Sequence, residues 1–224
     1  MTELNAAPRI ALIHAVQWAM APVAAAFART WPQARCVNLL DDALPADLLA
    51  AGQLSPALFA RIAALAEQAL AAGAQGVLFT CSAFGPAIEA VAARSAVPVL
   101  KPNQAMFCAA LRTGAQRIGM LATFAPAADS MAREFVQAAR QAGSSATLET
   151  ACVPDALTAA REGDIEQHNR LLAAGAPRLA HCDAVLLAHF STATALAAVQ
   201  AVLASPVFSA PDAAVAQLKR YFLA

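Results

Sequence analysis

The chain has 224 residues, 59% apolar and 13% charged, with fifteen basic and fifteen acidic side chains and a formal net charge of zero. That balance, with no basic stripe, argues against nucleic acid or a membrane as a partner, and no uninterrupted apolar run reaches the ~18 residues of a spanning helix. The five cysteines, Cys36, Cys81, Cys108, Cys152 and Cys182, are odd in number and form no CxxC pair, which argues against a disulfide framework or structural zinc and fits a reducing cytoplasm.

The opening "MTELNAAPRI" has neither a basic segment nor a long apolar one, so a secretory signal is not expected. The first strand-like run, "RIALI" (9–13), precedes a helical stretch at about 18–30 and the run "RCVNLL" (35–40). A long helical segment, about 55–72, leads through Gly73 into "GVLFT" (76–80), followed by a helix at about 84–95 and "VPVL" (97–100). A helical stretch from Pro102 then reaches "RIGMLAT" (117–123), a helix at about 127–142 and a strand near 146–153. The remainder reads as helix 164–181, "DAVLLA" (183–188), helix 192–203, "SPVF" (205–208) and a terminal helix from Pro211. Fully apolar strands alternating with helices predict an α/β fold with parallel sheets covered on both faces.

An internal repeat organises these elements. Shifted by 108 residues, "RIALIHAVQWA" (9–19) falls on "RIGMLATFAPA" (117–127), "GVLFTC" (76–81) on "AVLLAH" (184–189), and "VPVL" (97–100) on "SPVF" (205–208). Phe27 lands on Phe135 in the same register. One register held over about a hundred residues predicts a duplication, although segments 40–60 and 150–168 do not visibly follow it. The expected organisation is two pseudo-symmetric lobes, 1–100 and 101–210, each with a parallel sheet flanked by helices, and a C-terminal helix 211–224 packed back on the first.

Ligands of open parallel sheets bind at the carboxyl ends of the strands, and two such lobes facing each other would share one cleft. Cys81 and His189 are equivalent residues just past an apolar strand and before a helix, so they are the candidate catalytic pair. A free thiol has a pKa of ~8.5, which a helix N-terminus can lower into the neutral range, and histidine can give or take a proton at the facing position. The nearby hydroxyls, Thr80, Ser82, Ser191, Thr192 and Thr194, suit a substrate carboxylate. The loops after the first strand of each lobe add His14 and Gln17 on one side and Thr123 and Phe124 on the other. Phe84, Phe124 and Phe190 hint at a substrate with some apolar bulk. His168 and His181 read as solvated or capping residues, and Cys36, Cys108, Cys152 and Cys182 as buried structural thiols. No GxGxxG, GxxxxGK[ST] or GxSxG motif occurs, so dinucleotide, nucleoside triphosphate and nucleophile-elbow readings lack support, and no close ligand cluster marks a metal.

Three segments in this order, "VLFTCSAFG" (77–85), "RIGMLATFAP" (117–126) and "DAVLLAHFST" (183–192), resemble the aspartate/glutamate/hydantoin racemase superfamily, which also contains arylmalonate decarboxylase and maleate isomerase. The resemblance implies a small carboxylate-bearing substrate held between two lobes, no cofactor, and a homo-oligomer. It implies a cysteine from each lobe, one removing the proton α to a carboxylate and the other returning a proton to the opposite face. Cys81 matches the first-lobe cysteine and Thr123 a carboxylate-holding threonine, while the second cysteine is replaced by His189. The resemblance therefore points to a racemase or epimerase using Cys81 and His189. The alternatives are a decarboxylase of the arylmalonate type or a cis-trans isomerase of the maleate type using Cys81 alone. Outside these stand a cysteine hydrolase, which needs the two side chains within ~3.2 Å, and a non-catalytic carboxylate-binding protein.

Overall fold

The structure is a computed structural model and describes residues 7–223. In the first half, β1 (Arg9–His14), α1 (Met20–Thr30), β2 (Arg35–Leu40), α2 (Leu44–Ala51), α3 (Pro56–Ala71), β3 (Gly76–Phe79), α4 (Gly85–Ala92) and β4 (Val99–Leu100) follow one another. The second half runs through α5 (Gln104–Leu111), β5 (Arg117–Ala122), α6 (Ala125–Gln141), β6 (Thr147–Cys152), α7 (Pro154–Arg161), α8 (Ile165–Gly175), β7 (Ala184–Leu187), α9 (Leu196–Gln200), β8 (Val207–Ser209) and α10 (Ala210–Leu223). Two four-stranded sheets result, ordered β2-β1-β3-β4 and β6-β5-β7-β8, and every pairing is parallel. The fold class is α/β. Among the described residues no helix is long and apolar enough to cross a membrane.

The inner strands explain the fold class. β3 and β7 are buried at every residue, and β1 and β5 at all but their first; parallel strands covered on both faces must be apolar throughout. The edge strands β2 and β6 mix exposed and half-buried positions, with Ala151 of β6 buried. Helix starts follow ordinary capping chemistry, with Ser55 accepting the Leu58 N–H ahead of Pro56 and Asp164 accepting the Gln167 N–H at 2.9 Å.

The chain divides into two compact units, one of residues 1–102 with 214–224 and the other of 103–213. In the first, α10 closes against the sheet: the Trp31 and Phe222 rings lie 5.2 Å apart, and Lys219 donates to the Thr30 carbonyl at 2.9 Å. Gly76 opens β3 beneath this helix, where a Cβ would sit 3.1 Å from Ile10 and 3.4 Å from Leu218.

The repeat is visible bond by bond. Ile10 pairs with Gly76 and Ile118 with Ala184; Val77 pairs with Val99 and Val185 with Val207. All three inner and downstream strands keep the 108-residue register. The outer strands do not, because Arg9 pairs with Arg35 but Arg117 with Thr147, four residues later. The longer α6 absorbs the difference. Segments 40–60 and 150–168, which do not follow the repeat in sequence, do follow it in structure: a short helix, α2 or α7, then a second one, α3 or α8.

Candidate active site

The residues just past β3 and β7 are set by the same backbone hydrogen bonds. Thr80 N–H donates to the Ile13 carbonyl at 3.0 Å, and Ala188 N–H donates to the Leu121 carbonyl at 3.0 Å. The next residue is Cys81 in one unit and His189 in the other. Each thus stands at the carboxyl end of the second inner strand of its sheet, the edge where open parallel sheets bind ligands.

The two positions then diverge. Cys81 is extended (φ −118°, ψ 120°) and leads directly into a 3₁₀ turn, Ser82–Phe84. Its thiol is partly buried and packs beside the apolar core of its unit. That desolvation raises its pKa, and the Ala83 N–H bonded to the sulfur opposes the rise without cancelling it. The thiolate-favouring effect expected from the turn N–H is present, but burial outweighs it, so Cys81 rests as a thiol.

His189 has φ 73°, the one positive φ outside glycine among the described residues, a conformation that costs on the order of 1–3 kcal/mol and tends to mark functional sites. The turn is tightened by Thr192, whose hydroxyl lies against the Ala188 and His189 carbonyls. His189 Nε2 is buried with no hydrogen-bond partner. Burial pushes its pKa down from 6.5 to about 4, so the imidazole is neutral at pH 7. Cys81 and His189 are both held in their uncharged forms.

The other expected site residues sort by burial. Gln17 is exposed in a 3₁₀ turn just past β1, and Ser82 is half-buried beside Cys81. Past β5 come Thr123, 2% exposed, and Phe124, 48% exposed, while Ser191 is half-buried at the start of the 3₁₀ turn before α9. Three more of the expected residues are buried. His14 ends β1 fully buried, with Nδ1 3.0 Å from Thr80 Oγ1 and Nε2 2.9 Å from Asn38 Oδ1. Burial lowers its pKa despite the Asn38 bond, so it cross-ties β1, β2 and the segment carrying Cys81 as a neutral ring. Phe190 is 3% exposed, and Thr192 is fully buried with its hydroxyl committed to the backbone.

Among the remaining candidates, His168 is not solvated but buried, with Nδ1 2.6 Å from the Ala156 carbonyl, joining α8 to α7. Only Cys182 of the four other cysteines is fully buried; Cys36, Cys108 and Cys152 are half-buried. Glu149, His181 and Cys182 bring their ligand atoms within 4.8 Å of one another, a grouping invisible in sequence because Glu149 comes from β6. It lies at the opposite sheet edge from His189, where His181 and Glu149 form an exposed ion pair at 2.9 Å.

Sequence reasoning missed the wall beside Cys81. Helix α2 runs past it, and a groove of about 360 Å³ opens between Pro45, Leu48, Leu49 and Gly52 on one side and Cys81 and Phe84 on the other, with Ala83 between. Arg61, on α3, holds α2 in place: its Nε and Nη2 donate to both Asp41 carboxylate oxygens at 2.5 Å, and its Nη1 donates to Asp47. Pro45 at the first turn of α2 was the available signal for this helix.

Fold and site together define a doubled parallel α/β protein with titratable side chains at matching strand ends. A family model described as Asp/Glu/Hydantoin racemase matches residues 23–139, just over half of the chain, and the chain belongs to that family. Among solved structures, an aspartate racemase of Picrophilus torridus is similar with a TM-score of 0.72 and 12% identity, covering 96% of this chain and 94% of that one. An allantoin racemase from Klebsiella pneumoniae is similar at TM-score 0.69 and 19% identity, covering 96% and 88%. Unliganded arylmalonate decarboxylase is similar at TM-score 0.64 and 16% identity, covering 95% and 92%. At such identities the likeness concerns the fold. No curated protein matches the chain in sequence.

Proposed function

We propose that this chain is a cofactor-independent racemase or epimerase acting at the carbon α to a carboxylate, with Cys81 and His189 facing the substrate from the two units. The observation that carries the reading is the repeated bond from Thr80 to Ile13 and from Ala188 to Leu121, which gives Cys81 and His189 equivalent places past equivalent strands. The orphaned Nε2 of His189 adds a buried polar atom in want of a partner, and a substrate hydrogen is one that this atom could accept.

The uncharged resting pair gives the reaction a direction. Neutral His189, with its own proton on Nδ1, takes the α proton onto Nε2 from one face. The electron pair left behind spreads into the carboxylate as an enediolate. Cys81 then delivers its S–H proton to the opposite face, and solvent returns a proton from imidazolium to thiolate. An imidazole whose pKa is about 4 is a weak base, so the enediolate must be strongly stabilised. Hydroxyls of Ser82, Thr123 and Ser191 and nearby backbone N–H groups are the candidate donors, each worth on the order of 3–4 kcal/mol when preorganised.

The low basicity of His189 favours a second reading. Loss of CO₂ from a malonate-type substrate produces the same enediolate without any base, leaving Cys81 as the proton donor. Hydrolysis by a thiolate–imidazolium pair is disfavoured, since both groups shift toward neutrality. Incubation in D₂O with amino acids, hydantoins and malonates, followed by NMR and chiral chromatography, tests the proposal. Inversion with α-deuteration supports the racemase, CO₂ release with one deuterium the decarboxylase. Ligand binding without either, unchanged in Cys81→Ser, would leave a binding protein.

A further inference from the structure

We propose that Glu149, His181 and Cys182 hold one divalent transition-metal ion of the zinc class, at the end of the second sheet away from His189. The site lies wholly within the second unit, and it stands apart from the reading of Cys81 and His189 as a catalytic pair.

The three side chains come from two well-fixed places. Glu149 is inside β6, where it pairs with Gly119 of β5. His181 and Cys182 sit in the tight turn that opens β7. That turn is fixed by the Cys182 N–H, donated to the Leu179 carbonyl at 3.0 Å, and the Asp183 N–H, donated to the Arg117 carbonyl at 2.7 Å. Gly119 makes the seat for the sulfur, since a Cβ there would lie 3.2 Å from Cys182 Sγ. The thiol thus belongs to the apolar core of its unit, yet a carboxylate oxygen and an imidazole nitrogen come within 4.8 Å of it. A cysteine serving only as core packing has no use for two polar neighbours, and an exposed ion pair adds little to stability.

The donor set selects the ion. Thiolate, imidazole and carboxylate together suit zinc and its neighbours cobalt and nickel, whereas magnesium and calcium take oxygen alone. Tetrahedral bonds of ~2.0–2.3 Å put ligand atoms roughly 3.3–3.8 Å apart. The three atoms here must therefore close by about 1–1.5 Å at most, and the exposed His181 and Glu149 side chains have room to turn. On binding, the Cys182 S–H proton leaves to solvent. His181 Nε2 turns its lone pair from the Glu149 hydrogen bond to the metal, and the remaining ring proton stays on Nδ1. Beside the thiol, Asp183 and Arg117 pair at 3.8 Å and cancel each other. That leaves two negative charges, Glu149 and the thiolate, for a divalent ion to neutralise. Three protein ligands leave the fourth position to water.

The test uses cobalt, whose bond to a thiolate absorbs in the near ultraviolet, added to the full chain after a chelator has stripped it of metal. One cobalt per chain should bind with that band, give way to an equivalent of zinc, and resist a large excess of magnesium or calcium. Cys182→Ser should lose the band. Glu149→Gln and His181→Gln, both at exposed positions, should each weaken cobalt binding about tenfold or more. Far-UV circular dichroism checks folding, and if Cys182→Ser does not fold, the two exposed variants decide. The inference is overturned by no band, by a band that survives Cys182→Ser or is lost in Cys81→Ser, by unchanged affinity in both exposed variants, or by displacement with magnesium.

Discussion

Acidification should unfold this protein partly through one imidazole. His189 is neutral in the fold down to pH about 4, against 6.5 for the free side chain. The unfolded chain therefore binds a proton at this site before the folded chain does. Its contribution is whole above pH 6.5 and is lost as the pH falls from 6.5 toward 4. Each decade of that gap is about 1.4 kcal/mol, so the loss at pH 4 is about 3 kcal/mol. Other groups titrate over the same range, so the measurement compares wild type with His189→Asn, since asparagine tolerates positive φ and does not titrate. Urea unfolding followed by far-UV circular dichroism at pH 7, 5.5 and 4 should show their stability difference moving by about 3 kcal/mol in favour of the variant. A difference that stays level across these pH values would refute the buried, neutral imidazole and with it the direction assigned to the proton transfer.

Cys81→Ser should lower α-proton exchange or CO₂ release by about 10²–10⁴-fold while leaving far-UV circular dichroism unchanged, as followed by NMR in D₂O. Arg61→Ala should free α2 without unfolding the unit, so that amide hydrogen exchange at residues 44–51 rises well above that of α3. Thr80→Val strands the buried Nδ1 of His14, whose partner is Thr80 Oγ1 at 3.0 Å. It should cost about 1–3 kcal/mol, read as a lower urea midpoint at unchanged slope.

The inner strands were legible because covering a parallel sheet on both faces forces apolar residues at every position, and the 108-residue register survives in β1, β3 and β4 against β5, β7 and β8. Helices α2 and α7 were not, because each is only eight residues long, and their starts are marked only by Pro45 and Pro154 and by an acidic residue in the first turn, Asp47 and Asp155. That Cys81 and His189 stand just past equivalent strands could be read from position alone. Their protonation could not, because burial depends on residues distant in sequence: the same turn N–H that favours a thiolate operates against an apolar surround. His14 looked like a loop residue because its partners, Asn38 and Thr80, are 24 and 66 residues away.

The last helix gives the doubled fold an uneven seam. A cut after residue 102 would deliver the second unit entire but strip the first of Leu218 and Phe222, baring Gly76 and Trp31. A circularly permuted gene that encodes residues 214–224 ahead of the first strand would make both halves unbroken, and is the arrangement in which they could be exchanged or shuffled as modules.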